Sequence, residues 1–192
     1  MRIFFLIVLI FISGVWGAQA QTDSLRFPIN GKLPSRFNEA VSVQTKVFDQ
    51  LFFMDSTTTR HYPASFMLDK IDNDSNHYYL FLAEYWIAFH YSEIIPELIK
   101  RVTQKKEVGL TNYADLIIWD RVLAGQMKSF GHGGVSRDDL FTVAGRANRL
   151  LTIITGEDFG HVSMYSTPGE LKALQDKWIK WLIRIQRKNH LE

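Results

Sequence analysis

The chain has 192 residues, 46% hydrophobic, 14% aromatic and 22% charged, with 22 basic against 20 acidic residues, which is ample apolar material for a core and too little net charge to hold the chain open. That near-neutrality gives no support to a general nucleic-acid binder, which normally shows a strong basic excess. The absence of cysteine excludes disulfides, thiolate zinc sites, a cysteine nucleophile and a lipid-anchoring cysteine.

Met1-Arg2 is a short positive start, Ile3 to Ile12 is an unbroken apolar run, and Ala18-Gln19-Ala20 has the small-x-small pattern of a signal-peptidase site. Residues 1–20 are therefore predicted to be an export signal, and the mature chain, periplasmic or extracellular, to begin at Gln21. Retention of Ile3 to Ala20 as an anchor is the rival reading. No later segment reads as a membrane span, because the most apolar one, His77 to Tyr91, is too short and carries Glu84 in its middle.

Residues 21–34 hold two prolines and a glycine without helical periodicity and read as an extended leader. Residues 35–192 read as a single all-helical domain. Ser35 is placed to cap a helix with Phe37, Val41, Phe48, Leu51 and Phe52 at helical spacing, and Ser56 to Arg60 is expected to break it. Tyr62-Pro63 opens a short helix to Ile71. Asp72-Asn73-Asp74-Ser75-Asn76 is a loop of potential N-caps. His77 to Tyr91 is apolar on nearly every side and belongs in the middle of a domain. Ser92 to Lys106 follows, with Pro96 in its first turn.

Asn112 to Lys128 is amphipathic and is terminated by Gly131-His132-Gly133-Gly134, which follows a helix and lacks lysine, unlike a phosphate loop. Ser136 and Asp139 have capping-box spacing ahead of a helix carrying Leu140, Val143, Ala147, Leu150 and Ile154, closed by Gly156. Thr167-Pro168-Gly169-Glu170 combines an N-cap, a proline at the first helical position and a glutamate at the third. It opens a last helix with Leu171, Leu174, Trp178, Trp181, Leu182 and Ile185 on one side and Lys177, Lys180, Arg184, Arg187 and Lys188 on the other. Six or seven helices with short connections predict stacked antiparallel hairpins, as a short α-solenoid or a compact bundle.

Two stretches carry a resemblance. Ala88 to Val102, around Ile95-Pro96-Glu97-Leu98-Ile99, resembles the turn and second helix of a HEAT-type repeat. Ala144 to Trp181, with Arg146, Leu150-Leu151, Ile154-Thr155-Gly156-Glu157-Asp158-Phe159-Gly160, Trp178 and Trp181, resembles the end of exported HEAT-like proteins of unassigned function. Together they span roughly a third of the mature chain, without a regular repeat period. The resemblance implies stacked helix pairs and a binding or scaffolding role, transfers no catalytic residue, and makes Asp120 and Arg146 a candidate inter-helix ion pair of the ladder type.

The remaining candidates for chemistry each have a structural reading. Glu84 is either a general acid with a raised pKa or, more economically, the partner of an arginine. His90 and Glu93, three apart, with His132 or His161 from loops, compose a possible metal site for an envelope hydrolase, the alternative to binding. Asp72-x-Asp74-x-Asn76 starts like a calcium loop but has His77 at the sixth position and Ala83 at the twelfth. No Gly-x-Ser-x-Gly, Ser-x-x-Lys or His-Glu-x-x-His string occurs. The sequence thus points to an exported, non-catalytic binding or scaffolding protein of the envelope. It is expected to use a protein partner and to need no cofactor, resident metal, nucleic acid or membrane contact, the two tryptophans being core.

Overall fold

Pro34 starts the first helix: its carbonyl accepts the N–H groups of Phe37 at 3.0 Å and Asn38 at 3.2 Å, so Ser35 is the first helical residue and not the cap. The computed structural model describes residues 25–27, 32–51, 56–111 and 137–189. Among these the elements are α1 (Ser35–Leu51), α2 (Ser56–Arg60), α3 (Ala64–Asn73), α4 (His77–Arg101), α5 (Val143–Thr155) and α6 (Pro168–Asn189). There is no strand among the described residues, only two isolated bridges, and their regular structure is all-helical. The predicted helix at Asn112 to Lys128 and the Gly131 to Gly134 loop lie outside the described residues.

Helix α4 is the centre and touches each of the other five helices. Its all-round apolar surface is the reason: Leu82, Trp86, Ile87, Ile94, Ile95, Leu98 and Ile99 are all buried, and such a helix loses least when packed on every side. Asn76 caps it by accepting the Tyr78 N–H at 3.0 Å. The two helices expected here form one rod bent at His90, whose φ of −126° and ψ of 18° leave the helical region. The second half stops at Arg101, short of the expected Lys106.

Two boundaries differ from expectation. The first helix ends at Leu51, ahead of Ser56 to Arg60, but that segment is itself a short separate helix, with Thr59 buried and Arg60 ion-paired to Asp49. Helix α5 is capped by Thr142, whose Oγ1 accepts the Gly145 N–H at 3.2 Å, not by a Ser136–Asp139 box. Ser136 lies outside the described residues, and Asp139 instead accepts the Phe141 N–H at 3.2 Å. The Thr167–Glu170 box forms as read, with Glu170 N–H to Thr167 Oγ1 at 3.2 Å and Thr167 N–H to Glu170 Oε2 at 2.8 Å. Gly156 closes α5 at φ 68°, the left-handed conformation that a helix stop requires.

The leader is more than a spacer. Leu25 and Phe27 are buried, and Phe27 stacks on Phe37 with ring centroids 5.8 Å apart and meets Tyr91 edge-on at 5.4 Å. Gln186 of α6 donates to the Arg26 carbonyl. Trp178 and Trp181 are buried and meet edge-on at 5.9 Å, so the apolar face of α6 is spent on the core, as the sequence predicted.

Arg146, only 1% exposed, joins these parts. Its Nε donates to the Leu140 carbonyl at 2.8 Å, Nη1 to those of Ile71 at 3.0 Å and Asp74 at 2.8 Å, and Nη2 to that of Gly109 at 2.7 Å. Asp120, its expected partner, lies outside the described residues. Burial lowers the guanidinium's pKa, opposed by the charges of Asp74 and Asp72, yet a guanidinium starts so basic that it stays charged at neutral pH. Arg146→Ala strands several buried carbonyls at about 1–3 kcal/mol each, so a loss of about 3–5 kcal/mol is expected in denaturant melts. Arg146→Lys should recover less than half, because one ammonium cannot span three segments; melting within a few degrees of wild type for either variant would refute this role.

Candidate functional site

The site is assembled from three loops around the start of α5. After α4 the chain runs extended and pairs with the approach to α5: Val108 and Gly109 N–H donate to the Phe141 carbonyl at 2.8 and 3.2 Å, and Val143 N–H to that of Lys106 at 3.0 Å. The approach itself, Arg137 to Thr142, folds tightly back on the helix. Gly145 permits this, since a Cβ there would sit 1.9 Å from the Asp139 carbonyl oxygen. The third loop, between α5 and α6, is fixed by Asn148. This buried amide donates to Asp138 Oδ1 and the Gly160 carbonyl, both at 2.9 Å, and accepts the Trp178 indole N–H at 2.9 Å.

Between these loops lies a groove of about 700 Å³, lined by Glu107 and Gly109, by Arg137, Asp138, Asp139, Phe141 and Thr142, and by Val162, Ser163, Met164 and Tyr165. That volume lies within the roughly 300–1,000 Å³ of ligand sites. Of the four large hydrophobic side chains exposed among the described residues, three belong to it: Phe141 at 55%, Met164 at 67% and Tyr165 at 81% exposure.

Met164 and Tyr165 are held out by a locked turn. Ser166 N–H donates to the Ser163 carbonyl at 3.0 Å, Ser163 N–H to Ser166 Oγ at 2.9 Å, and Tyr165 N–H to Ser163 Oγ at 3.3 Å. Lys105 ties the turn to the opposite wall through the Ser166 carbonyl at 2.8 Å. Exposed apolar side chains on a pre-ordered backbone lose little further entropy when they are covered.

The polar rim is acidic. Arg137 is ion-paired with Asp158, which leaves Glu107, Asp138 and Asp139 as its remaining charges. Asp138 accepts Val162 N–H at 2.8 Å as well as Asn148. Burial raises its pKa against the pull of those two donors, so the ionised form works against folding: its contribution to stability is full below the ordinary carboxylate range and declines as pH rises through the raised value.

The residues singled out in the sequence lie elsewhere. Glu84 pairs with Arg149 across α4 and α5, the structural reading. His90 stacks on Trp86 at 4.1 Å, with Nε2 2.8 Å from the Arg60 carbonyl and Nδ1 3.8 Å from Glu93. His132 lies outside the described residues and His161 is exposed. No group of three or more His, Asp or Glu with metal-binding geometry occurs among the described residues. Asp72 grips Arg101 through two bonds of 2.8 Å, and Asp74 pairs with Lys70 at 2.9 Å, so this loop is tied into structural ion pairs. The groove itself escaped sequence reasoning. Its only local signal is Met164-Tyr165 between two serines, large apolar residues where a turn should be polar.

No protein-family model matches the chain, and neither a curated protein nor a solved structure is significantly similar to it.

Gly145→Ala separates local from tertiary control of the site. Helix propensity alone would stabilise α5 by about 1 kcal/mol, whereas displacing the Asp139 turn is expected to destabilise by about 1–3 kcal/mol net. A variant that melts higher than wild type would contradict the close approach.

Proposed function

We propose that this is an exported protein of the cell envelope that acts by binding a protein partner, and that the groove between the approach to α5 and the Ser163–Ser166 turn is where it binds. The observation that carries the reading is the concentration of exposed apolar side chains, Phe141, Met164 and Tyr165, on tightly held backbone around one concavity. A patch of that kind is costly to leave in water and marks an interaction surface. The stacked-hairpin, HEAT-like arrangement suggested by Ala88 to Val102 and Ala144 to Trp181 suits the same role, since such folds present concave surfaces. No helix of the described residues is long and apolar enough to cross a membrane.

Site-specific photocross-linking tests the reading in intact cells. A benzophenone amino acid at position 164 should give a discrete protein adduct, and the same group at Val43, an exposed apolar position on α1, should not. Equal adducts at both positions, or none at 164, would count against the groove. N-terminal sequencing of the exported protein should begin at Gln21; a start at Met1 would remove the secretory part of the proposal.

A further inference from the structure

We infer that the groove takes a peptide segment in which a large apolar side chain is flanked by lysine or arginine. The inference rests on the groove being a binding site, and it adds the chemistry of the occupant.

Two independent features set that chemistry. The first is apolar: Phe141, Met164 and Tyr165 stand more than half exposed around the concavity, with buried Val162 among its lining residues. Burying one large side chain there removes apolar surface of both partners from water, and the locked Ser163–Ser166 turn limits the ordering cost. The second is electrostatic. The one cation of the lining, Arg137, is neutralised by Asp158, while the Glu107 and Asp139 carboxylates stand at the rim without a salt-bridge partner among the described residues, and Asp138 adds a third acidic group. The Lys105 ammonium is held against the Ser166 carbonyl, so the negative charge is concentrated on the wall made by 107–109 and 137–142, where Glu107 and Asp139 border the apolar floor. An acidic segment is repelled, and a neutral one gains only the apolar contact. A segment with lysine or arginine beside its anchor gains both, with the charges at the rim where they keep their water.

The groove is lined by three main-chain stretches, 107–109, 137–142 and 162–165, the last two joined where Asp139 N–H donates to the Val162 carbonyl at 2.8 Å, so its frame is held rigid before a segment is laid against it.

The test is fluorescence anisotropy of full-length mature protein with three pools of labelled hexapeptides: leucine, phenylalanine or tryptophan flanked by two lysines, by two serines or by two glutamates. The lysine pool is expected to bind at least tenfold tighter than the serine pool. Its affinity should fall as sodium chloride is raised from 50 to 500 mM, roughly from one Debye length of about 14 Å to one of about 4 Å, and the glutamate pool should not bind. Glu107→Gln with Asp139→Asn should bring the lysine pool down to the level of the serine pool and leave the serine pool unchanged. Tyr165→Ser with Met164→Ser should weaken both, with circular dichroism and melting temperature as in wild type. Equal binding of the lysine, serine and glutamate pools, reduced by the Tyr165 and Met164 changes, would overturn the charge selectivity and leave the groove as a binding site. Absence of binding by every pool would overturn the inference, and joined to absence of cross-links at position 164 it would overturn the binding reading as well.

Discussion

A buried guanidinium that bonds to no carboxylate among its described partners holds this fold in register. Arg146 spends its donors on four main-chain carbonyls, two from the end of α3, one from the segment after α4 and one from the turn before α5. The carbonyls at the end of α3 are the negative pole of a helix, lacking intrahelical partners. The side chain therefore solves two problems at once: a cation that would be costly to bury alone meets partial charges, and carbonyls that would be stranded find donors. Two of the four, those of Gly109 and Leu140, belong to or adjoin the wall of the groove, so the position of Phe141 is set from within the core.

Two buried amides act in the same way. Gln175 of α6 donates to the Ile99 carbonyl at 3.0 Å at the end of α4, which caps the central helix from outside. Asn148 connects the groove's Asp138, the α5–α6 loop and Trp178. Three side chains, Arg146, Asn148 and Gln175, thus do for the loops and helix ends what strand ladders do in other folds, and each buries an amide or guanidinium whose donors are satisfied by backbone or side-chain oxygens.

What could be read from the sequence was local. The Thr167–Glu170 box, the stop at Gly156 and the central place of His77 to Tyr91 depend on neighbours within a few residues, and the structure has them. The cap of α5 was misread for a tertiary reason: pairing of Lys106 to Gly109 with Phe141 to Val143 holds Thr142 extended, at φ −112° and ψ 151°, so the helix cannot begin earlier. Arg146 was singled out as a structural link between helices, paired with Asp120, but carbonyl partners 37 to 75 residues away leave no spacing in the sequence. The groove was illegible because exposed apolar residues in loops have no period, and only the surrounding backbone shows that they converge.

The docking of residues 25–27 gives the domain a polarity. Gln186 meets Arg26 near the end of α6, whereas the Ser163–Ser166 turn stands just ahead of Pro168 at its beginning. Eighteen residues of helix separate Pro168 from Gln186, about 27 Å at 1.5 Å per residue. The docked residues 25–27 and the groove therefore sit at opposite ends of α6, so a partner seated in the groove would lie a helix length from Leu25 and Phe27 and leave that contact undisturbed.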